Sequence, residues 1–142
     1  MPPVTFVTTD RLDDTAVDLI SEGLSAFNVE RTGVDDQRPL AVLAKDPATG
    51  EVLGGLTGRT SLGLLFIDLL YLPDALRGTG TGAELLRLAE AEGRARGCKS
   101  GVLYTISFQA PGFYEKFGWH RFGEVPCDPP GTSRVFMSKS LA

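Results

Sequence analysis

Cysteine and histidine are scarce. Cys98, Cys127 and His120 are the only ones in 142 residues. That is too few for a disulfide framework, and neither cysteine has a metal-like spacing, so two reduced thiols and no metal site are expected. Positive charge is also the minority sign: 14 Lys and Arg against 18 Asp and Glu, for a formal net charge of −4 and a pI of about 4.9. An acidic chain without a basic cluster does not suit nucleic acid, whose binding rests on Lys and Arg at phosphates; it leans toward a cationic substrate. No apolar run approaches the ~18 residues that a membrane span requires. Met1 to Thr5 lacks the charged and apolar regions of a signal peptide. The expectation is a cytoplasmic protein that meets neither membrane nor nucleic acid.

What remains is ordinary globular material, 42% hydrophobic and 23% charged, enough for one domain over residues 1–142 with a core of its own. Val4 to Thr8 is a short β-rich run. Val17, Ile20, Leu24 and Phe27 fall at helical spacing, so a helix is expected from Ala16 to about Asn28. Glu30 to Arg38 reads as a loop or a short second helix. Leu40 to Lys45, Glu51 to Arg59 and Leu64 to Leu72 read as an antiparallel meander. Gly80 to Arg96 reads as a helix with an apolar stripe of Leu85, Leu86 and Ala89. It carries Glu90–Arg94 and Glu92–Arg96 as i,i+4 pairs, and Gly97 is its stop. A strand from Gly101 to Ile106, a short helix from Pro111 to Gly118, and strands from Trp119 to Val125 and Ser133 to Leu141 complete an α/β chain with a mixed sheet.

The most informative stretch is Arg77-Gly-Thr-Gly-Thr-Gly-Ala83, set between an apolar strand and a helix. Glycines let backbone N–H groups approach a phosphate, and the helix N-terminus adds partial positive charge. Arg77, Gly78, Thr79, Gly80, Thr81, Gly82 and Ala83 are therefore the candidate pyrophosphate cradle, with the two threonine hydroxyls as further donors. The alternative is a plain turn, but three alternating glycines are costly in backbone entropy for that alone. A P-loop would need a Lys after the glycines, and none follows. Gly78, Gly80 and Ala83 match a dinucleotide fingerprint, but the acidic residue about 20 positions on is missing; that region is Gly97-Cys-Lys-Ser100.

The Arg77-x-x-Gly80-x-Gly82 spacing resembles the pyrophosphate loop of the GCN5-related N-acetyltransferases. A second segment, Phe113-Tyr-Glu-Lys-Phe-Gly-Trp119, resembles the Phe-Tyr-Glu-Lys-x-Gly-Phe/Tyr signature of the same family. It starts 31 positions after Gly82, as the family places it. The likeness covers roughly Leu64 to Phe122; the first 60 residues share only the layout. It implies a mixed central sheet of about seven strands with helices on both faces. Two of those strands, here Leu64 to Leu72 and Gly101 to Ile106, would splay apart around coenzyme A.

The resemblance also implies roles. Leu70, Tyr71 and Leu72 would run beside the pantetheine arm, and a backbone N–H there would bind the thioester oxygen. Tyr114 would be the general acid that protonates the departing thiolate; packing beside Phe113 and Phe117 is the other reading. Lys116 is a candidate for the 3′-phosphate or a plain surface lysine. Ser107 stands where many members carry an Asn, and Ser107 or Gln109 is the candidate substitute. Asp68, a carboxylate within an apolar strand, is a candidate base or amine-binding group, against an Asp on an open edge or paired with an Arg. Glu22 and Asn28, on the first helix, are candidate substrate contacts, and His120 reads as structural or surface.

The expected activity is acetyl transfer from acetyl-CoA, as co-substrate, to a primary amine by direct attack. The expected partner is a small soluble amine such as an antibiotic, polyamine or amino acid, and a homodimer is open. The rivals are a protein N-acetyltransferase, a non-catalytic acyl-CoA-binding or sensing module, and a nucleotide-binding oxidoreductase.

Overall fold

The computed structural model describes residues 3–142. They fall into two compact units, one ending at Asp35 and one beginning at Asp36. The first holds a single helix, α1 (Asp14–Thr32). It begins where the Asp13 carboxylate accepts a hydrogen bond from the Thr15 N–H, and it ends at Gly33, whose φ of 72° closes the last turn on Val29 O. The helix therefore extends into the segment expected to be a loop or a short second helix, ending at Thr32. Glu30 and Arg31 are good helix formers, and the Arg31 guanidinium sits 5.6 Å from the Phe27 ring. The expected strand at Val4 to Thr8 does not form. Its β-branched residues favour extended backbone, but a strand exists only as a member of a ladder, and this segment is in none.

The second unit is a six-stranded sheet in the order β1-β2-β3-β4-β6-β5. Its members are β1 (Arg38–Lys45), β2 (Val52–Ser61), β3 (Leu64–Tyr71), β4 (Ser100–Ile106), β5 (His120–Cys127) and β6 (Thr132–Ser140). Helix α2 (Thr81–Ala95) links β3 to β4, and α3 (Pro111–Glu115) lies between β4 and β5. The expected meander is β1-β2-β3, and every pairing is antiparallel except β3 with β4. Six strands stand where about seven were expected, the difference being the N-terminal run.

One face of the sheet carries the core. Leu56, Leu65, Ile67, Leu103, Val135 and Met137 pack under Leu85, Leu86 and Ala89 of α2 and under Tyr114 of α3. Leu65 and Ile67 point into this core, and so do Leu70 and Leu72. The alternation has gained one residue, and that residue is Asp68. In the β2–β3 ladder Gly58 opposes Ile67 and Thr57 opposes Leu69, leaving Asp68 unpaired in a β-bulge.

Two glycines allow close approaches. A Cβ on Gly93 would come 3.3 Å from Leu65 Cδ2, which lets α2 lie close on β3. A Cβ on Gly101 would stand 2.6 Å from Trp119 Cη2, so the indole occupies the space that any side chain on β4 would fill.

Candidate functional site

Strands β3 and β4 are joined by three rungs, Leu64 to Ser100, Leu65 to Gly101 and Phe66 to Val102. Beyond Phe66 they part. β3 continues along β2 as far as Tyr71 opposite Gly55, and β4 continues along β6 as far as Ile106 opposite Arg134. Each strand is thus held by its outer neighbour while the facing edges open. The Asp68 bulge lies two residues past the last rung, and bulges bend the strand that carries them.

The Gly-rich loop closes the end of β3. A 3₁₀ turn at Asp74–Leu76 leads into it, and Gly78 and Gly80 take φ values of 73° and 85°, a region that favours glycine. Gly80 is the N-cap of α2, with no side chain capping the helix. The first backbone N–H groups of α2 therefore have no side-chain acceptor, an arrangement that suits an anion. Glu84 adds a negative charge in that first turn, but Arg87 grips both its carboxylate oxygens and pulls the carboxyl below its ordinary range.

Arg77 turns back onto the loop. Its Nε donates to Leu72 O at 3.0 Å, and its guanidinium pairs with Asp74 at 3.1 Å. The threonine hydroxyls also serve the loop: Thr79 Oγ1 donates to Leu76 O at 2.6 Å and lies 2.8 Å from Thr81 Oγ1. The donors left for a ligand are thus mainly backbone N–H groups.

The two sequence motifs meet at Gly82. A Cβ there would approach Phe113 Cζ at 3.3 Å and Leu72 Cδ1 at 3.5 Å, so the end of β3, the start of α2 and α3 converge on one position. Tyr114 follows Phe113, the two rings edge to face at 5.2 Å. Its side chain is nearly buried, and burial raises the phenol above its ordinary pKa. Among the described residues no sealed polar side-chain atom lacks a partner, and none of these residues bonds the Tyr114 hydroxyl. That hydroxyl therefore retains access to something other than the protein.

The remaining candidates each have their own surroundings. Asp68 Oδ1 receives Arg59 NH1 at 2.7 Å, and the Arg59 guanidinium lies 4.4 Å over the Phe66 ring. Both side chains of the pair are nearly half exposed. Ser107 is tied to β6, its Oγ accepting from Ser133 N at 3.0 Å. Gln109 Oε1 accepts from Thr105 Oγ1 at 3.2 Å and from Ile106 N at 3.0 Å, closing the end of β4. Lys116 ends α3 as an exposed side chain, and His120 opens β5, also exposed. Glu22 lies in a shallow depression of the first unit with Ser25, Val29 and Asp35; Asn28 is outside that depression, and its carbonyl accepts from Thr32 Oγ1.

A cluster escaped the sequence reading. Glu90 reads as half of a surface i,i+4 pair, and Arg94 is indeed near it at 3.7 Å. Yet Glu90 is only 4% exposed. It accepts Trp119 Nε1 at 3.2 Å and Lys139 Nζ at 2.6 Å. The available signal was Trp119 itself, because a buried indole needs an acceptor for its N–H.

A run of backbone donors, a gap between strands and a helix that meets their junction through Phe113 and carries a buried phenol next to it fit an extended ligand with a pyrophosphate at one end and a reactive group at the other. A Cβ at Gly82 would narrow that junction.

Comparison with known proteins agrees. Residues 10–119 match the model of the acetyltransferase (GNAT) family. An acetyltransferase of Agrobacterium fabrum (strain C58) is 35% identical over 134 residues, 94% of this chain and 97% of the relative. The blasticidin-S acetyltransferase of Streptomyces morookaense is 38% identical over 116 residues, 80% of this chain and 85% of the relative. A crystal structure assigned to an acetyltransferase from Agrobacterium tumefaciens superposes with a TM-score of 0.88 at 34% identity, covering 96% of this chain and 99% of that one. The chain is an acetyltransferase and belongs to the GNAT family.

Proposed function

We propose that this acetyltransferase moves an acetyl group from acetyl-CoA to the primary amine of a small soluble molecule, within the cytoplasm. The observation that carries the reading is the junction at Gly82, where the anion nest, the open end of β3 and the helix bearing Tyr114 converge. Acetyl-CoA supplies an acyl group activated as a thioester. The backbone N–H groups of Gly80 to Ala83 would hold its pyrophosphate. The free edge of Leu70 to Leu72 would lie along its pantetheine arm and offer an N–H to the thioester oxygen.

In the reaction the amine nitrogen bonds to the thioester carbon and the carbon–sulfur bond breaks. Tyr114 gives its hydroxyl proton to the leaving sulfur. A phenol is protonated at neutral pH, and burial raises this one further. The attacking nitrogen loses a proton to a carboxylate or to water. Asp68 is the candidate carboxylate: Arg59 engages its Oδ1 and leaves Oδ2 to accept. Ser107 and Gln109 shape the far end of β4, and Lys116 is a cation on the motif helix. Glu22 and Asn28 are the proposed substrate contacts of α1.

The family match spans parts of both compact units, which supports reading residues 1–142 as one functional domain. The blasticidin-S relative favours an antibiotic-like cationic amine as acceptor, and the acidic chain is compatible with that charge. The test is a panel of amines (nucleoside and aminoglycoside antibiotics, polyamines, amino acids, peptides with free α-amines) incubated with acetyl-CoA and read by thiol release. Release with a small antibiotic-like amine is expected. Release only with peptides would turn the reading to a protein acetyltransferase, and binding of acetyl-CoA without release to any amine would turn it to a sensing module.

A further inference from the structure

We infer that Glu90 is a positioning residue for Tyr114, acting through Trp119. This rests on the reading of Tyr114 as the general acid. Glu90 lies on the third turn of α2 with its side chain almost wholly buried. A buried carboxylate is costly, and an apolar residue of similar size commonly fills such a place at no loss of stability. Its two oxygens are used separately. Oε2 accepts the indole N–H of Trp119 at 3.2 Å, and Oε1 accepts Lys139 Nζ at 2.6 Å.

One partner returns to the short helix that carries the acid and the other to the turn that follows it. The Trp119 backbone N–H donates to Tyr114 O at 3.2 Å, and Lys139 Nζ donates to Phe117 O at 2.6 Å. The Trp119 ring also packs edge-on against the Tyr114 ring, with centroids 6.3 Å apart at 69°. Beneath it, Gly101 leaves room for the indole and for nothing else. The indole is therefore fixed by a glycine on one side, a carboxylate at its N–H and the tyrosine at its edge.

Among the described residues no protein group bonds the Tyr114 hydroxyl and sets its direction. Its aim depends on the rings around it and on the tethers of α3, and Glu90 holds both tethers. Glu90 belongs to the same helix whose N-terminus forms the anion nest. One rigid element thus sets the distance between the proposed pyrophosphate cradle and the acid. Misplacement of about 1 Å is enough to cost large factors in rate.

The test compares two double variants. Glu90→Gln with Lys139→Met removes both charges but keeps an acceptor for the indole N–H. Glu90→Leu with Lys139→Met removes the acceptor as well. Both lose the Lys139 tether equally, and both avoid an unpaired buried lysine. The expected result is a kcat about tenfold lower for the Leu pair than for the Gln pair, with the KM for acetyl-CoA the same in the two. In a Tyr114→Phe background that difference should vanish. Equal kcat for the two pairs would overturn the inference, and so would a difference that survives the loss of Tyr114. If Tyr114→Phe alone leaves kcat intact, it is the acid reading that fails. Should the pairs not fold, Trp119→Phe keeps the ion pair and carries the same prediction: lowered kcat, with no further loss when combined with Tyr114→Phe.

Discussion

Gly82 faces Phe113 across the junction of the two motifs: a Cβ on the glycine would stand 3.3 Å from Cζ of the ring. This approach joins the loop that offers N–H groups to the helix that offers a phenol. It also explains why a separation of 31 positions from Gly82 to Phe113 is compatible with one site, since α2 and β4 carry the chain out and back.

Acetyl-CoA at a hundred times its Kd should stabilise the protein by about 2.7 kcal/mol. A thermal scan should show this as a rise in Tm, with no rise from NAD or ATP. Gly80→Glu and Gly82→Glu should abolish the rise, because each puts bulk and negative charge into the nest. Gly82→Ala should weaken it less, since Phe113 need give only a few tenths of an ångström. An equal rise with NAD would remove the cofactor assignment.

Tyr114→Phe should lower kcat by roughly 10- to 1,000-fold with little change in coenzyme A affinity. Because burial raises the phenol, any loss of rate from its ionisation should set in above pH of about 10, the ordinary tyrosine value. The stability sign follows. Between the unfolded and folded pKa values the native state binds more protons than the unfolded one. The contribution of Tyr114 is therefore complete below the ordinary value and is lost as pH rises through the raised one. Equilibrium unfolding of wild type and Tyr114→Phe across that range checks the sign.

Asp68→Asn separates two roles. If Asp68 accepts the amine proton, kcat/KM should fall and its rise with pH should flatten. If it holds an ammonium ion, KM for the amine should climb at constant kcat. Arg59→Gln frees Oδ1 and should alter the same parameter that Asp68→Asn does. A folded Asp68→Asn enzyme with an unchanged pH profile would assign the ion pair to the fold alone.

Gly101→Ala should destabilise by about 1–3 kcal/mol through overpacking, because its Cβ would fall 2.6 Å from the buried Trp119 ring. Denaturant melts measure this directly. Gly112→Ala is the control: nothing lies within 4 Å of the added carbon, so its cost should be small.

Much of the second unit was legible because its signals are local. Pro73 ends β3, glycines flank α2, Pro111 opens α3, and apolar residues recur at the period of each element. The bulge at Asp68 was not legible. Leu64 to Leu72 is apolar on both faces, so an extra residue leaves no break in a two-residue pattern. Glu90 was hidden for a related reason: an i,i+4 pair with Arg94 has the same spacing whether it faces water or Trp119. That Asp68 pairs with some Arg is one alternative the sequence offers, since a carboxylate in an apolar strand needs a partner; that the partner is Arg59 is a finding of the structure. Val4 to Thr8 shows the limit of propensity, because no local feature states whether an extended segment has a neighbour.

The seam between β3 and β4 has a mechanical consequence. With only three rungs, the sheet is two plates, β1-β2-β3 and β4-β6-β5, stitched at one corner. Wide excursions of one plate against the other should concentrate along the open part of that line, where no hydrogen bonds resist them. A molecule lying in the gap and bonding to both edges would act as the missing stitches. Its arrival should then be felt as stiffness well outside its own contacts, as slower amide exchange along Ile67–Tyr71 and Leu103–Ile106 together.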